Sequence, residues 1–240
     1  MSAEPAPADP DPDGVDPVPF TPMVPGQRSA VRLVLRPLFR GWLRLRAEGR
    51  EHVPDEGPVL VASTHRSHAD SLALAVAIRR PVHFLGDLKL TRWPVVGPQL
   101  TRLGMVPLRR GEADASAMDV LGILLDDGAC IAVYPEGSRS RDGKVHRLRS
   151  GVARLAANHQ VPVVPAAVLG IEHAWPIGQR PRLRGGRVTV RFGAPVDPPD
   201  GTPRSRRVFN DHLQRLLGEL AGAELADDFS PFHGGEVVDP

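Results

Sequence analysis

The chain of 240 residues is 41% hydrophobic with a formal net charge of +2, enough apolar content to fill one α/β-sized core. Its single cysteine excludes an internal disulfide, no His and Cys are spaced as metal ligands, and no run approaches the ~18 apolar residues of a membrane-spanning helix. The near-neutral total hides a segregation of sign: residues 1–19 and 224–240 each carry five acids and no Lys or Arg, which leaves +12 on residues 20–223.

A body of that charge suits an anionic partner, whether a phosphorylated metabolite, a membrane surface or nucleic acid. One Tyr, three Trp and no aromatic-basic signature argue against nucleic acid. The acidic, proline-rich start is unlike a signal peptide, and the cysteine usage fits a reducing, cytoplasmic setting. Any membrane contact is therefore expected to be peripheral.

Residues 1–27 hold Pro at nearly every third position between Asp and Ala, a composition that buries too little to offset ordering entropy, so a disordered tail is predicted. From there Arg28, Arg32, Arg36, Arg40 and Arg44 recur every four residues, with Val31, Leu35, Leu38, Phe39, Trp42, Leu43 and Leu45 between them. That spacing predicts an amphipathic basic helix over 28–46, or two helices broken near Pro37. An ordinary surface helix would show the same pattern; Phe39 and Trp42 favour an anchor at the membrane interface.

Residues 47–223 form the predicted domain. A short strand and turn at 49–54 precede a buried strand at Pro58–Ser63, a helix at Ser71–Arg79 and a strand at Val82–Leu85. A short helix at Pro94–Leu103, a strand at Met105–Leu108, a helix at Asp114–Leu125 and a strand at Cys130–Tyr134 follow. Ser150–Asn158 is helical, Val161–Leu169 and Arg187–Phe192 are strands, and Pro203–Leu220 is a closing amphipathic helix. The alternation predicts an α/β fold: a single domain with a central, mostly parallel sheet flanked by helices, preceded by the amphipathic N-terminal helix. Residues 224–240 are expected to form a second acidic, disordered tail.

His65 and Asp70 stand where the first buried strand gives way to a helix, the place where α/β folds keep their chemistry. Imidazole titrates near neutral pH, and a carboxylate can fix its tautomer and stabilise the imidazolium. The pair meets only if the chain bends between them, since a continuous helix would hold an i, i+5 pair about 140° apart. A helix-start aspartate beside an ordinary strand-end histidine is the plain alternative.

Glu136-Gly137-Ser138-Arg139-Ser140 follows a second buried strand, and the glycine, hydroxyls and planar guanidinium there suit a phosphate. Gly104 enters a strand that delivers Arg109 and Arg110. No Gly-x-Ser-x-Gly elbow, Walker loop or Gly-x-Gly-x-x-Gly after a strand is present, so serine-hydrolase, P-loop and dinucleotide readings lack their marks.

His65-x-x-x-x-Asp70, then Gly104 to Arg110, then Glu136-Gly137-Ser138-Arg139-Ser140, then Val161-Pro162-Val163-Val164-Pro165, taken in that order over residues 45–195 or so, resemble the glycerolipid acyltransferase family typified by 1-acylglycerol-3-phosphate acyltransferase. The resemblance implies that His65 removes a proton from a glycerol hydroxyl with Asp70 orienting it, and that the oxygen attacks an acyl thioester directly. It further implies that Gly104, Arg110, Glu136, Gly137, Ser138 and Arg139 lie on the side of the phosphorylated acceptor, and Pro162 on that of the acyl donor. Acyl-CoA or acyl carrier protein would be the co-substrate, a lysophospholipid the acceptor and an anionic membrane on its cytoplasmic side the setting, with no metal or other cofactor. 1-Acylglycerol-3-phosphate is the leading acceptor; glycerol 3-phosphate, a glycolipid, or a non-catalytic lipid-phosphate-binding role are the alternatives. Two departures from the family pattern are Ser138 in place of the more frequent Thr, and Asp87 where relatives often carry Lys, with Lys89 two residues later.

Overall fold

Every residue of the strand Val59–Ser63 is buried, because helices cover both faces of the sheet at whose centre it lies. The computed structural model describes residues 37, 41–88, 100, 104–108, 115–180, 182 and 186–231. In chain order these form β1 (Arg46–Glu48), a short 3-10 helix (Arg50–His52), β2 (Val59–Ser63), α1 (Asp70–Ala77), β3 (Val82–Asp87), β4 (Met105–Leu108) and α2 (Ala115–Asp126). They continue as β5 (Cys130–Val133), α3 (Gly151–His159), β6 (Val163–Leu169), α4 (Ile171–Ala174), β7 (Thr189–Phe192) and α5 (Pro203–Ala221).

The described strands make one sheet in the order β1-β7-β6-β2-β5-β3-β4. All neighbours are parallel except β6 and β7, so the mostly parallel α/β sheet expected from the sequence is the sheet observed. The pleat of β2 divides the core. Val59 and Val61 face Ala73, Leu74 and Ala77 of α1 on one side. Leu60 and Ala62 face Leu121 and Leu125 of α2, Val152 and Leu155 of α3, and Phe209, Leu213 and Leu217 of α5 on the other. Each fully buried Val or Leu among them contributes about 1.5–3 kcal/mol.

Local signals set the ends of α5. Thr202 caps its start by accepting from Ser205 N, Pro203 opens its first turn, and Gly222 closes it at φ +59.

Two expected segments differ. The helix anticipated over 28–46 stops early: Gly41 and Trp42 are helical, Arg44 has a positive φ, and Arg46–Glu48 pairs with β7 as an edge strand. The strand expected within 49–54 thus lies earlier in the chain. Leu43 is fully buried, Val188 N donates to Leu43 O, and Trp42 Nε1 donates to Arg182 O at 3.0 Å. Pairing with β7 and burial of Leu43 outweigh the four-residue helical period here. Most of the basic segment, the helix at 94–103 apart from Leu100, and residues 1–27 lie outside the described residues.

Residues 224–231, expected to belong to a disordered tail, are held in place. Val145 N donates to Glu224 O, Ala226 N to Val145 O and Arg147 N to Asp228 O, each at 2.9 Å, and Ser230 is buried. Backbone pairing, which composition does not register, orders this acidic stretch.

Candidate active site

β2 and β5 are parallel neighbours, so the loops leaving their carboxyl ends emerge side by side. The first carries His65 and bends into α1, whose first residue is Asp70. Asp70 Oδ2 accepts from His65 Nδ1 at 2.7 Å, from Arg66 N at 2.7 Å and from Ser67 N at 2.8 Å. The loop is wound around one carboxylate oxygen, and that bend brings residues five apart in the chain into contact. Asp70 is fully buried, while the His65 side chain keeps 19% of its exposure. An ionised carboxylate only accepts, so Nδ1 carries the imidazole hydrogen and the lone pair is left on Nε2.

Tyr134 follows β5 directly and lays its ring on the imidazole of His65, with centroids 3.9 Å apart and planes inclined by 15°. Its hydroxyl shares a 2.8 Å hydrogen bond with Ser71 Oγ. Burial, and then the charge of Asp70, hold the phenol well above its ordinary pKa against the opposing Ser71 bond, so the ring is neutral. Neither residue carried a sequence motif that marked it for the site; only the position of Tyr134 at the carboxyl end of a parallel strand pointed there.

The loop after Tyr134 is tied to the first one, since Ser140 N donates to His65 O at 2.8 Å. Gly137 turns at φ +79, a conformation that favours glycine, and a Cβ there would meet the Arg149 side chain 2.6 Å from Nε. Arg139 Nη1 contacts both ring nitrogens of His68, Nε2 and, at 2.9 Å, Nδ1; a guanidinium only donates, so the imidazole is the acceptor. Arg139 thus stands against the His65 loop through His68.

Ser138 and Glu136 are placed otherwise. The Ser138 hydroxyl meets Ser230 Oγ at 2.6 Å and Pro231 O at 3.1 Å, so it is engaged by the C-terminal segment. Glu136 is 1% exposed, its Oε2 accepts from His146 N at 2.9 Å, and its Oε1 finds no hydrogen-bond partner among the described residues. Burial raises its carboxyl to about 7, against hydrogen bonds and charges that oppose the shift. A carboxyl turned into the protein neither reaches nor attracts a phosphate; Glu136 holds the loop from within.

Gly104 and Pro162 do not join this site. Each precedes a strand parallel to β2: Gly104 enters β4, and Pro162 O accepts from Leu60 N at the start of β6. Both therefore sit at the amino edge of the sheet, with Pro162 level with Val59 and so roughly 20 Å from the level of His65 at 3.3 Å per residue. Gly104 has a packing reason instead, a φ of +97 and a Cβ position 2.8 Å from Val82 O. Arg110 lies outside the described residues. Among the described residues no group of three or more His, Cys, Asp or Glu could hold a metal ion, and no helix is long and apolar enough to cross a membrane.

The sequence profile of the family described as Acyltransferase matches residues 44–169, from the strand-forming end of the basic segment to the last residue of β6. The chain belongs to the acyltransferase family. Among its relatives, a chloroplastic 1-acyl-sn-glycerol-3-phosphate acyltransferase of Arabidopsis thaliana is 30% identical over 157 residues, 64% of this chain and 44% of that one. The alpha form from Mus musculus is 26% identical over 77% of this chain and 66% of its own length. The chain spans less than half the length of the plant and algal relatives it matches. The crystal structure of the 1-acyl-sn-glycerophosphate acyltransferase PlsC from Thermotoga maritima superposes with a TM-score of 0.64 at 27% identity, covering 80% of each chain. In this family member the paired loops at the carboxyl ends of β2 and β5 both fall within the span of the family match.

Proposed function

We propose that this acyltransferase moves a fatty acyl group from a thioester, acyl-CoA or acyl carrier protein, to the free hydroxyl of a lysophospholipid, with 1-acylglycerol-3-phosphate as the acceptor and phosphatidic acid as the product. The observation that carries this is the 2.7 Å contact of His65 Nδ1 with Asp70, which leaves Nε2 as a base on the same loop as His68, the residue that Arg139 touches. Nε2 takes the acceptor's hydroxyl proton while the oxygen bonds to the thioester carbonyl carbon. Collapse of the tetrahedral adduct breaks the carbon–sulfur bond, and the leaving thiolate takes the proton from Nε2. The ester and a free thiol depart, His65 is neutral again, and nothing stays bonded to the protein.

Arg139 supplies the planar donor fork for the acceptor's phosphate, with Arg110 expected to add a second. The names of the Arabidopsis, mouse and Thermotoga relatives support the choice of acceptor. The arginines at 28, 32, 36 and 40 are assigned to an anionic membrane on its cytoplasmic face, where such an acceptor resides.

Release of free thiol from palmitoyl-CoA with lysophosphatidic acid tests the proposal. His65→Ala is expected to lower turnover by about 10³-fold, and Asp70→Asn by about 10²–10⁴-fold, with acceptor binding retained. If lysophosphatidic acid, glycerol 3-phosphate and a glycolipid all give no His65-dependent release, the protein is a binding module and the proposal fails; if only one of the latter two reacts, the acceptor changes.

A further inference from the structure

We infer that Tyr134 is a positioning residue for the base, holding the plane of the His65 imidazole by face-to-face stacking while Ser71 holds Tyr134. This rests on the acyl-transfer proposal above, and asks what aims Nε2 in it. A hydrogen bond from Nδ1 to Asp70 fixes one atom of the imidazole but leaves the ring free to swing about that contact. A second ring at 3.9 Å and 15° removes that freedom.

The stack is itself well anchored. Tyr134 follows Val133, which is paired with Ala62 in the neighbouring strand, and Tyr134 O accepts from Gly137 N at 3.0 Å. At the far end of the ring the hydroxyl meets Ser71 Oγ at 2.8 Å. Asp70 and Ser71 are consecutive, so the first turn of α1 supplies both the carboxylate on the edge of the imidazole and the hydroxyl that steadies the ring on its face. The electron-rich face of a neutral phenol also favours the imidazolium that forms when His65 accepts its proton.

Thiol release from palmitoyl-CoA with lysophosphatidic acid is to be compared for the native chain, Tyr134→Leu, Tyr134→Phe, His65→Ala and the double variant of His65→Ala with Tyr134→Leu. Tyr134→Leu is expected to lower kcat about tenfold with the acceptor KM within twofold, Tyr134→Phe to stay within threefold, and Tyr134→Leu to add nothing in the His65→Ala background. In the native protein the His65 ring proton resonances, assigned by their loss in His65→Ala, are expected upfield of exposed histidines because they lie over an aromatic face.

Unchanged kcat in Tyr134→Leu, an equal loss in Tyr134→Phe, or a further loss in the His65→Ala background overturns the inference. Should Tyr134→Leu fail to fold, His65 resonances without an upfield shift in the native protein overturn it equally. Absence of any His65-dependent thiol release would instead sink the acyl-transfer proposal, so the two failures are distinct.

Discussion

The hydroxyls of Ser138 and Ser230 lie 2.6 Å apart, joining the loop after β5 to a residue 92 positions further along the chain. The same C-terminal segment sets the Phe229 ring 5.5 Å from the Arg149 guanidinium and brings Asp228 Oδ1 to 3.1 Å from His146 Nδ1. It therefore straps the loop that carries Arg139. Ser230→Ala loses a net hydrogen bond of about 1 kcal/mol, a drop of about 2–4 °C in Tm for a domain of this size. Ending the chain at residue 223 also removes the backbone pairs with Val145 and Arg147, and is expected to lower Tm further and raise the acceptor KM. Scanning calorimetry beside the thiol-release assay checks both; an unchanged KM in the shortened chain would show that the strap does not shape the site.

Glu136 and His146 make stability fall as pH rises. The Glu136 carboxyl is raised by burial to about 7 from an ordinary 4.5. Between those values the folded chain holds a proton that the unfolded chain has lost, so stability declines with pH across that window, by about 3 kcal/mol in total at 1.36 kcal/mol per unit. Burial alone would push the His146 imidazole down, but its hydrogen bonds and charge pairing with Asp142 and Asp228 raise it above its ordinary value. Its contribution is fully present below the unfolded value near 6.5 and is lost as pH climbs through the raised one. Glu136→Gln keeps an oxygen to accept from His146 N and has no proton to lose. Urea unfolding at pH 5 and pH 8 is expected to show a markedly smaller pH difference for that variant than for the native chain.

Much of this arrangement is visible in the sequence, for reasons that differ by residue. β2, β4 and β5 are apolar runs bounded by turn residues, and α5 is bracketed by Thr202-Pro203 and Gly222, so local chemistry marks them. His65 and Asp70 stand out because a base and an acid flank a strand-to-helix junction. Gly104 and Pro162 needed one further step: each precedes its strand, and in a parallel sheet that places it on the edge away from His65. Tyr134 reads only as the end of a strand, because stacking on His65 depends on β5 lying next to β2, a long-range pairing. The ordering of 224–231 rests on backbone hydrogen bonds to 145–147, which leave no trace in side-chain pattern.

The boundary of the basic segment decides how a membrane role is to be tested. Deleting residues 1–46 would remove buried Leu43 and Arg46 of β1, and loss of a buried leucine alone costs about 2–5 kcal/mol. Deleting residues 1–40 spares both and still removes Arg28, Arg32, Arg36 and Arg40. At about 1 kcal/mol for each arginine near an anionic surface, affinity for vesicles rich in phosphatidylglycerol is expected to fall by on the order of 10²–10³-fold, with Tm unchanged. Vesicle flotation measures it, and equal binding by the shortened chain would reassign those arginines to the protein's own surface.

Arg139, proposed above to hold the acceptor's phosphate, touches His68 of the His65 loop and ends in a planar fork of donors. Lys in its place keeps the charge and loses the paired geometry, so a phosphate is held by one point rather than two. Charge-assisted hydrogen bonds contribute about 1.5–3 kcal/mol, and losing one of the pair is expected to raise the KM for lysophosphatidic acid about tenfold with kcat little changed. An acceptor without the phosphate, monoacylglycerol, has nothing for the fork to grip, so its weaker reaction should be the same in native and Arg139→Lys protein. Steady-state kinetics with the two acceptors side by side separates a phosphate ligand from a loop-stabilising arginine: an equal KM rise for both would assign Arg139 to the loop and its His68 contact rather than to the substrate.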